Sequence, residues 1–470
     1  MDIKFYKVIF LIVIGYVIFV IFNYDMNWVH NETPSQIRVA LKDGASFRWA
    51  DFLPTTDNIF DDFERIRFVS YTLYRINIKF RIWVFNYIPP HPTFVLTWIF
   101  TLILGPILFF KFVYNYTSQR ISAWVAVILY MMSQGFLSGI TVFHHPAKPM
   151  TTFFAILCLY ISSKINLLAG KGERFFNKGV FLYAALLVVF FVSFLTDESA
   201  FIVYISLPFL FFDIFKRYNN KKLLYAAYLA PLLLFIILAA ILEAWTRFYF
   251  FDYIINGAFC GSWKYCSFDN FYRNFQGLID AHLVPFYLKG INATIVFSLI
   301  YAIYMYFRFS QDTKQNFLRA LAASLACLLV YSFGAQFHGG EPPMGTVYGS
   351  VFSVFFVLPV AIALSFRHKF FDIINRLILM CLVVACSQNY IHLTYPLIHG
   401  NIEDLQRIMK EIGGSEELQG SEQGRLTFPM VLKVWKNRDD EDFISRMQKE
   451  YPRKSFWLFN ELKYLRKKGH

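Results

Sequence analysis

Apolar stretches of about 17–25 residues, nearly free of internal charge, recur along this chain, and each has the length of a helix that crosses a bilayer. In hydrocarbon every backbone N–H and C=O must be bonded within the protein, which favours helices over irregular segments. Composition agrees. Of 470 residues 57% are hydrophobic and only 16% charged, with a mean hydropathy of +0.43. A soluble domain carries about a quarter of its residues charged to cover its surface. The helices of a soluble core are usually amphipathic, and most of these stretches are not.

The first apolar stretch covers residues 6–22, and Lys4 and Lys7 precede it. Phe22-Asn23-Tyr24-Asp25 follows it without a small-residue cleavage site, so it reads as an uncleaved anchor with a cytoplasmic N-terminus. Further spans are expected at 93–112, 121–138, 150–166, 179–195, 200–214, 223–243, 290–307, 318–336, 347–365 and 373–391, making about eleven. Short loops rich in lysine and arginine alternate with loops that carry few basic residues for their length. Lys164, Lys171, Arg174 and Lys178 fill one basic loop, and Lys216, Arg217, Lys221 and Lys222 the next. The positive-inside rule places the basic loops in the cytoplasm. It also accounts for the net charge of +13 without invoking nucleic acid.

The fold class expected is therefore an all-α polytopic membrane protein, of the kind found in a bacterial inner (plasma) membrane. Residues 1–398 form the transmembrane domain, with a long first extracytoplasmic loop at 23–92. Residues 399–470 form a small, soluble, helical C-terminal segment outside the cytoplasm. Within the first loop Phe63, Ile66, Val69, Leu73, Ile76 and Phe80 recur at helical spacing, beside Arg65, Arg67, Arg75, Lys79 and Arg81. Apolar and basic residues so mixed suit amphipathic helices lying in the membrane interface.

The six cysteines contain no CxxC pair. Cys158, Cys327, Cys381 and Cys386 fall within apolar spans and read as packing residues. Cys260 and Cys266 lie in a polar loop on the oxidising side, where a Cys260–Cys266 disulfide is expected. No HExxH or similar helical pair is present, so no cofactor is expected, with a divalent metal left as the alternative.

Four groups of polar residues fall on the outer face: Asp25; the stretch from Arg65 to Tyr71; Phe143-His144-His145-Pro146; and Thr196-Asp197-Glu198-Ser199. Acidic residues beside hydrocarbon are costly, so Asp197 and Glu198 need a polar setting or a function. The stretch from Arg67 to Phe80, His145-Pro146 and Leu195-Thr196-Asp197-Glu198-Ser199-Ala200 resemble, in order and spacing, motifs of the C-class membrane glycosyltransferases, in the branch related to protein O-mannosyltransferases. Ser206-Leu207-Pro208-Phe209-Leu210 is similar to a common continuation. The resemblance covers roughly the first 215 residues, plus a weak late match from Pro343 to Pro359. Phe68 stands where the branch has a proline, and Asp25 stands alone where it has a double acid. Asp197 stands where the branch has a lysine, and Lys148 near where it has an acidic residue.

The resemblance implies transfer of a sugar from a polyprenyl-phosphate-linked donor to a glycan, lipid or protein acceptor outside the cytoplasm. Asp25 would act as catalytic base, and Arg67 and His145 would hold the donor phosphate. Asp197 and Glu198 would orient the acceptor, a basic partner or the first-loop helix. A ligase, polymerase or flippase for lipid-linked sugars shares this topology. A secondary transporter would favour inverted repeats, and none is evident. The charge asymmetry predicts that reporter fusions at Lys171 and Lys221 report cytoplasm, whereas fusions at Lys264 and the C-terminus report the outside. A cytoplasmic C-terminus would overturn the span count.

Overall fold

The computed structural model describes residues 3–23, 68–85, 96–141, 147–170, 175–197, 201–211, 306–334, 350–365 and 369–393, with short pieces at 271–272, 275, 301 and 304. Among the described residues there are helices and turns and no strand. Ile3–Ile21, Ile99–Thr117 and Ala147–Leu168 are each long and apolar enough to cross a membrane, and they point to a membrane protein. Arg120–Met132, Phe181–Ser193 and Ser350–Leu364 are shorter apolar helices.

Helix α1 is Ile3–Asn23 and α2 is Phe68–Phe85. A π-helical turn, Ile99–Leu104, runs into α3, Gly105–Thr117. The turn has a local cause. Pro106 has no N–H, and its ring crowds the carbonyl four residues back. The chain widens just upstream, and the Gly105 N–H reaches back to the Phe100 carbonyl.

The stretch 121–138, read from the sequence as one span, is two helices: α4, Arg120–Met132, and α5, Gln134–Thr141. Ser133 separates them with extended backbone. Its hydroxyl donates to the Tyr130 carbonyl at 2.7 Å and accepts from the Phe136 N–H at 3.2 Å, ending one helix and capping the next. Helices α6, Ala147–Gly170, and α7, Phe175–Thr196, follow, then α8, Phe201–Leu210. Later come α9, Gln311–Gly334, α10, Ser350–Leu364, and α11, Lys369–Leu393. The expected spans 223–243 and most of 290–307 lie outside the described residues, as do the Cys260–Cys266 loop and the C-terminal segment.

Two helices form the centre. On α4 all residues but Arg120 and Trp124 are buried, and on α10 all but Phe356 and Val360. Lipid tails are as apolar as leucine, so close packing and hydrogen bonds must hold such helices together. Small residues permit the approach: a Cβ on Gly135 of α5 would lie 2.6 Å from the Ser350 Cα. Ser122 of α4 donates to Ser365, just beyond α10, at 2.6 Å. Helix α1 leans on α4, with Phe10 edge-on to Trp124 at 5.2 Å, and turns Val8, Leu11, Ile12, Ile18 and Phe19 outward.

Pro359 sits inside α10 and leaves the Phe355 carbonyl without its helical donor. The Ser324 hydroxyl of α9 reaches that carbonyl at 2.7 Å and shares its one hydrogen between it and the Ala320 carbonyl of its own helix, at 2.8 Å. An apolar environment makes an unmet carbonyl expensive. Ser324→Ala should therefore lower stability by about 1–3 kcal/mol, the cost of a buried orphan acceptor. In a Pro359→Ala background, where the backbone donor returns, the same change should cost much less. Thermal melting of the four proteins in detergent measures this.

Candidate functional site

The polar residues of interest gather where helices end, and the helix contacts show which ends meet. Thr152 near the start of α6 donates to Ser350 at the start of α10, at 2.8 Å. At the opposite end Tyr116 of α3 donates to the Asn316 carbonyl of α9 at 3.0 Å, and Arg376 of α11 lies over the Phe5 ring of α1. Helix α1 passes Trp124 near the start of α4 and runs on to pack against α5. Asn23, Thr141, Ala147, Thr196, Gly334 and Ser350 thus fall at one end of the bundle.

At that end Lys148 meets Asp197. Lys148 Nζ lies 2.6 Å from Asp197 Oδ2, with side-chain exposures of 5% and 0%. Lys148 is in the first turn of α6. Asp197 follows α7, and its N–H still donates to the Ser193 carbonyl at 3.0 Å. Each charge therefore stands at the end of its own helix that the helix dipole disfavours. The antiparallel arrangement cures this: the carboxylate lies beside the N-terminus of α6, and the ammonium beside the C-terminus of α7.

The pair closes a long seam. Helix α6 is buried around most of its circumference, and Thr152, Ala155, Leu159 and Ser162, at steps of four and three from Lys148, are among its buried positions. The matching steps back along α7 give Ser193, Phe190, Leu186 and Tyr183. Of the described side chains on α7, those buried are Leu186, Phe190, Ser193, Thr196 and, just past its end, Asp197. That is one stripe at coiled-coil spacing, facing α6. Phe181 and Val188 of α7 are exposed.

Helix α2 packs across both α6 and α7. The sequence reading put its basic residues in the membrane interface, but Arg75 and Lys79 are buried, at 3% and 0% exposure, with Ser70 and Asn77. The apolar stripe of Val69, Leu73, Ile76 and Phe80 is the half-exposed side. Asn77 donates to Thr97 Oγ1 at 3.2 Å, tying α2 to the segment ahead of the π-helical turn. Arg75 and Lys79, a turn apart, are thus covered by protein, where an interfacial helix would turn them to the headgroups. Period alone cannot tell a helix face covered by protein from one that faces headgroups.

Of the sequence-derived site residues, Asp197 is described and brought to Lys148. Asp25, Arg67, His145 and Glu198 lie outside the described residues. In the chain they adjoin described ends: Asp25 follows Asn23, Arg67 precedes α2, His145 precedes Ala147, and Glu198 follows Asp197. Among the described residues no cluster of three or more metal-ligating side chains occurs. From the sequence Lys148 is a departure in charge from the resembled motif, and its pairing with Asp197 emerges only from the fold. The two departures in charge, Asp197 and Lys148, are the two halves of one ion pair.

Comparison with protein-family models, with curated proteins and with solved structures gives no match.

Removing one partner of a buried ion pair strands the other charge and costs about 3–5 kcal/mol. Lys148→Met or Asp197→Asn should therefore destabilise the protein strongly in a thermal melt. The exchange Lys148→Asp with Asp197→Lys keeps a pair at the same place, and places each charge at the favoured end of its own helix. It should recover most of the lost stability. An exchanged protein no more stable than the worse single variant would show that the pair does not hold this end of the seam.

Proposed function

We propose that the chain is a membrane glycosyltransferase that moves a sugar from a polyprenyl-phosphate-linked donor to an acceptor on the extracytoplasmic face. In this reading it spans the bilayer about eleven times, with a cytoplasmic N-terminus, an extracytoplasmic C-terminus and a bacterial inner-membrane location. The buried Lys148–Asp197 pair is the observation that carries the proposal. It joins two positions that the sequence resemblance singles out in separate motifs, and each lies in the chain beside another candidate, His145 or Glu198. Support also comes from α2, which brings buried Arg75 and Lys79 onto α6 and α7.

The chemistry follows from the donor. Its tail stays in the bilayer and its phosphate at the headgroup level. The acceptor hydroxyl attacks the anomeric carbon and gives its proton to Asp25. The bond between that carbon and the phosphate oxygen breaks, and polyprenyl phosphate leaves. Arg67 and His145 hold the phosphate and stabilise the charge it gains as leaving group. Asp197 holds Lys148, and Glu198 meets the acceptor. No cofactor enters this scheme.

A general base contributes typically 10²–10⁴-fold, so Asp25→Asn should lower turnover by about that factor without loss of folded protein. The measurement is release of polyprenyl phosphate from labelled donors by membranes containing matched amounts of each variant. Native-like turnover for Asp25→Asn, with collapse at Asp43, Asp51, Asp57, Asp61 or Asp62, would move the base. Movement of lipid-linked sugar across the membrane without any release would favour a flippase instead.

A further inference from the structure

The end of the bundle opposite the Lys148–Asp197 pair carries cations set over aromatic rings. Direct contacts join the helices there. Asn115 of α3 donates to Ser163 of α6 at 3.1 Å, and Tyr116 of α3 to the Asn316 carbonyl of α9 at 3.0 Å. The Tyr304 ring, ahead of α9, lies 5.8 Å from the Phe371 ring of α11. Next to these contacts Lys164 Nζ sits 5.6 Å from the centre of the Tyr160 ring. The Arg308 guanidinium is 5.7 Å from that of Tyr304, and Lys314 Nζ 5.6 Å from that of Tyr306.

Arg376, over Phe5 at the same end, has its charge met by Asp372 at 2.8 Å. Lys164, Arg308 and Lys314 have no carboxylate partner among the described residues. Asp312 is close to two of them in the chain, but it pairs with neither and stands in the first turn of α9, where the helix dipole favours it. A ring face holds a cation in place without neutralising it. Arg308 donates to the Tyr304 hydroxyl at 3.3 Å, is otherwise exposed, and keeps the rest of its donors for another ligand. The segment is also fixed before any ligand arrives. Tyr306 and Phe309 both pack on Phe317 of α9, at 6.1 and 5.8 Å, and the Lys314 N–H donates to the Ser310 carbonyl at 2.9 Å.

The surface beside these cations is apolar. Phe307 is 71% exposed. Along α9 the exposed positions change from Gln311, Asp312 and Gln315 to Leu318, Leu325 and Leu329. On α3 exposed Ile107 gives way to exposed Lys111 one turn on. Such a change from leucine and isoleucine to tyrosine and basic residues marks the headgroup level of a bilayer. We propose that the turn from Tyr304 to Leu318 binds anionic phospholipid, with Arg308 and Lys314 drawing headgroup phosphates and Phe307 and Leu318 meeting acyl chains. A nucleic acid or a soluble acidic protein would supply the anions and leave the apolar residues in water. A phospholipid satisfies both in one molecule. This inference is independent of the glycosyltransferase reading and rests on the chain being a membrane protein.

The test is equilibrium binding of labelled phosphatidylglycerol and labelled phosphatidylcholine to the full-length protein in neutral detergent micelles. The wild type should prefer phosphatidylglycerol. Each cation at an anionic lipid surface is worth about fivefold in affinity, so Arg308→Gln with Lys314→Gln should weaken phosphatidylglycerol binding about 25-fold. Phosphatidylcholine binding should not change, and Arg308→Lys with Lys314→Arg should bind as the wild type does. Equal affinity of the wild type for the two lipids would overturn the proposal, as would undiminished phosphatidylglycerol binding by the glutamine variant. Free glycerol phosphate is the third probe. If it displaces phosphatidylglycerol at matched concentration, the turn is a soluble-phosphate site and the lipid assignment is wrong. Should the glutamine variant fail to fold, a salt titration of the wild type decides. Phosphatidylglycerol affinity should fall severalfold between about 0.1 M and about 1 M salt, and salt-independent binding would overturn the proposal.

Discussion

The Lys148–Asp197 ion pair is the contact on which the rest of the α6–α7 hairpin depends. Two fully desolvated charges are tolerable only when they face each other, so the pair fixes how far α7 is slid along α6. Once that register is set, every other level of the seam follows from helix geometry. An all-apolar seam would have many near-equivalent registers. The charges leave one, at the cost of holding each against its own helix dipole.

Elsewhere in the bundle backbone irregularity is matched by a specific remedy. Pro106 is absorbed by a π-helical turn, Pro359 by the Ser324 hydroxyl, and the break at Ser133 by that residue's own side chain. These remedies share a cause. Where water is scarce, a backbone group that loses its helical partner must find another within the protein. Ser324 and Ser133 are therefore structural residues, despite being the kind of side chain that draws attention in a search for chemistry.

The candidate residues gather in the chain at the end of the bundle where Asn23, Thr141, Ala147, Thr196, Gly334 and Ser350 lie. In the chain, candidates drawn from separate motifs adjoin these residues: Asp25, His145 and Glu198. Helix α2, which Arg67 precedes, lies across the same two helices that hold the ion pair. A site assembled this way needs its positioning from the helices beneath it. The short reach from Lys148 to His145, and from Asp197 to Glu198, gives the pair that role within the proposal.

The sequence by itself determined the helical class and where many of the helices lie. Hydrophobic length is a property of a single segment, and so α1, α6, α7, α9, α10 and α11 fall close to the stretches read from it. Short-range chemistry was less legible. The split at Ser133 came from one serine that caps two ways, within a run that reads as continuous apolar chain. Partnership between distant residues was not legible at all. Lys148 and Asp197 are separated by a whole hairpin, and no local pattern states that two opposite charges, each at an unfavourable helix end, cancel. Nor does periodicity tell that Arg75 and Lys79 are covered by protein. Only the tertiary structure decided these, because an ion pair's strength depends on distance and dielectric, and both are set by what packs around it.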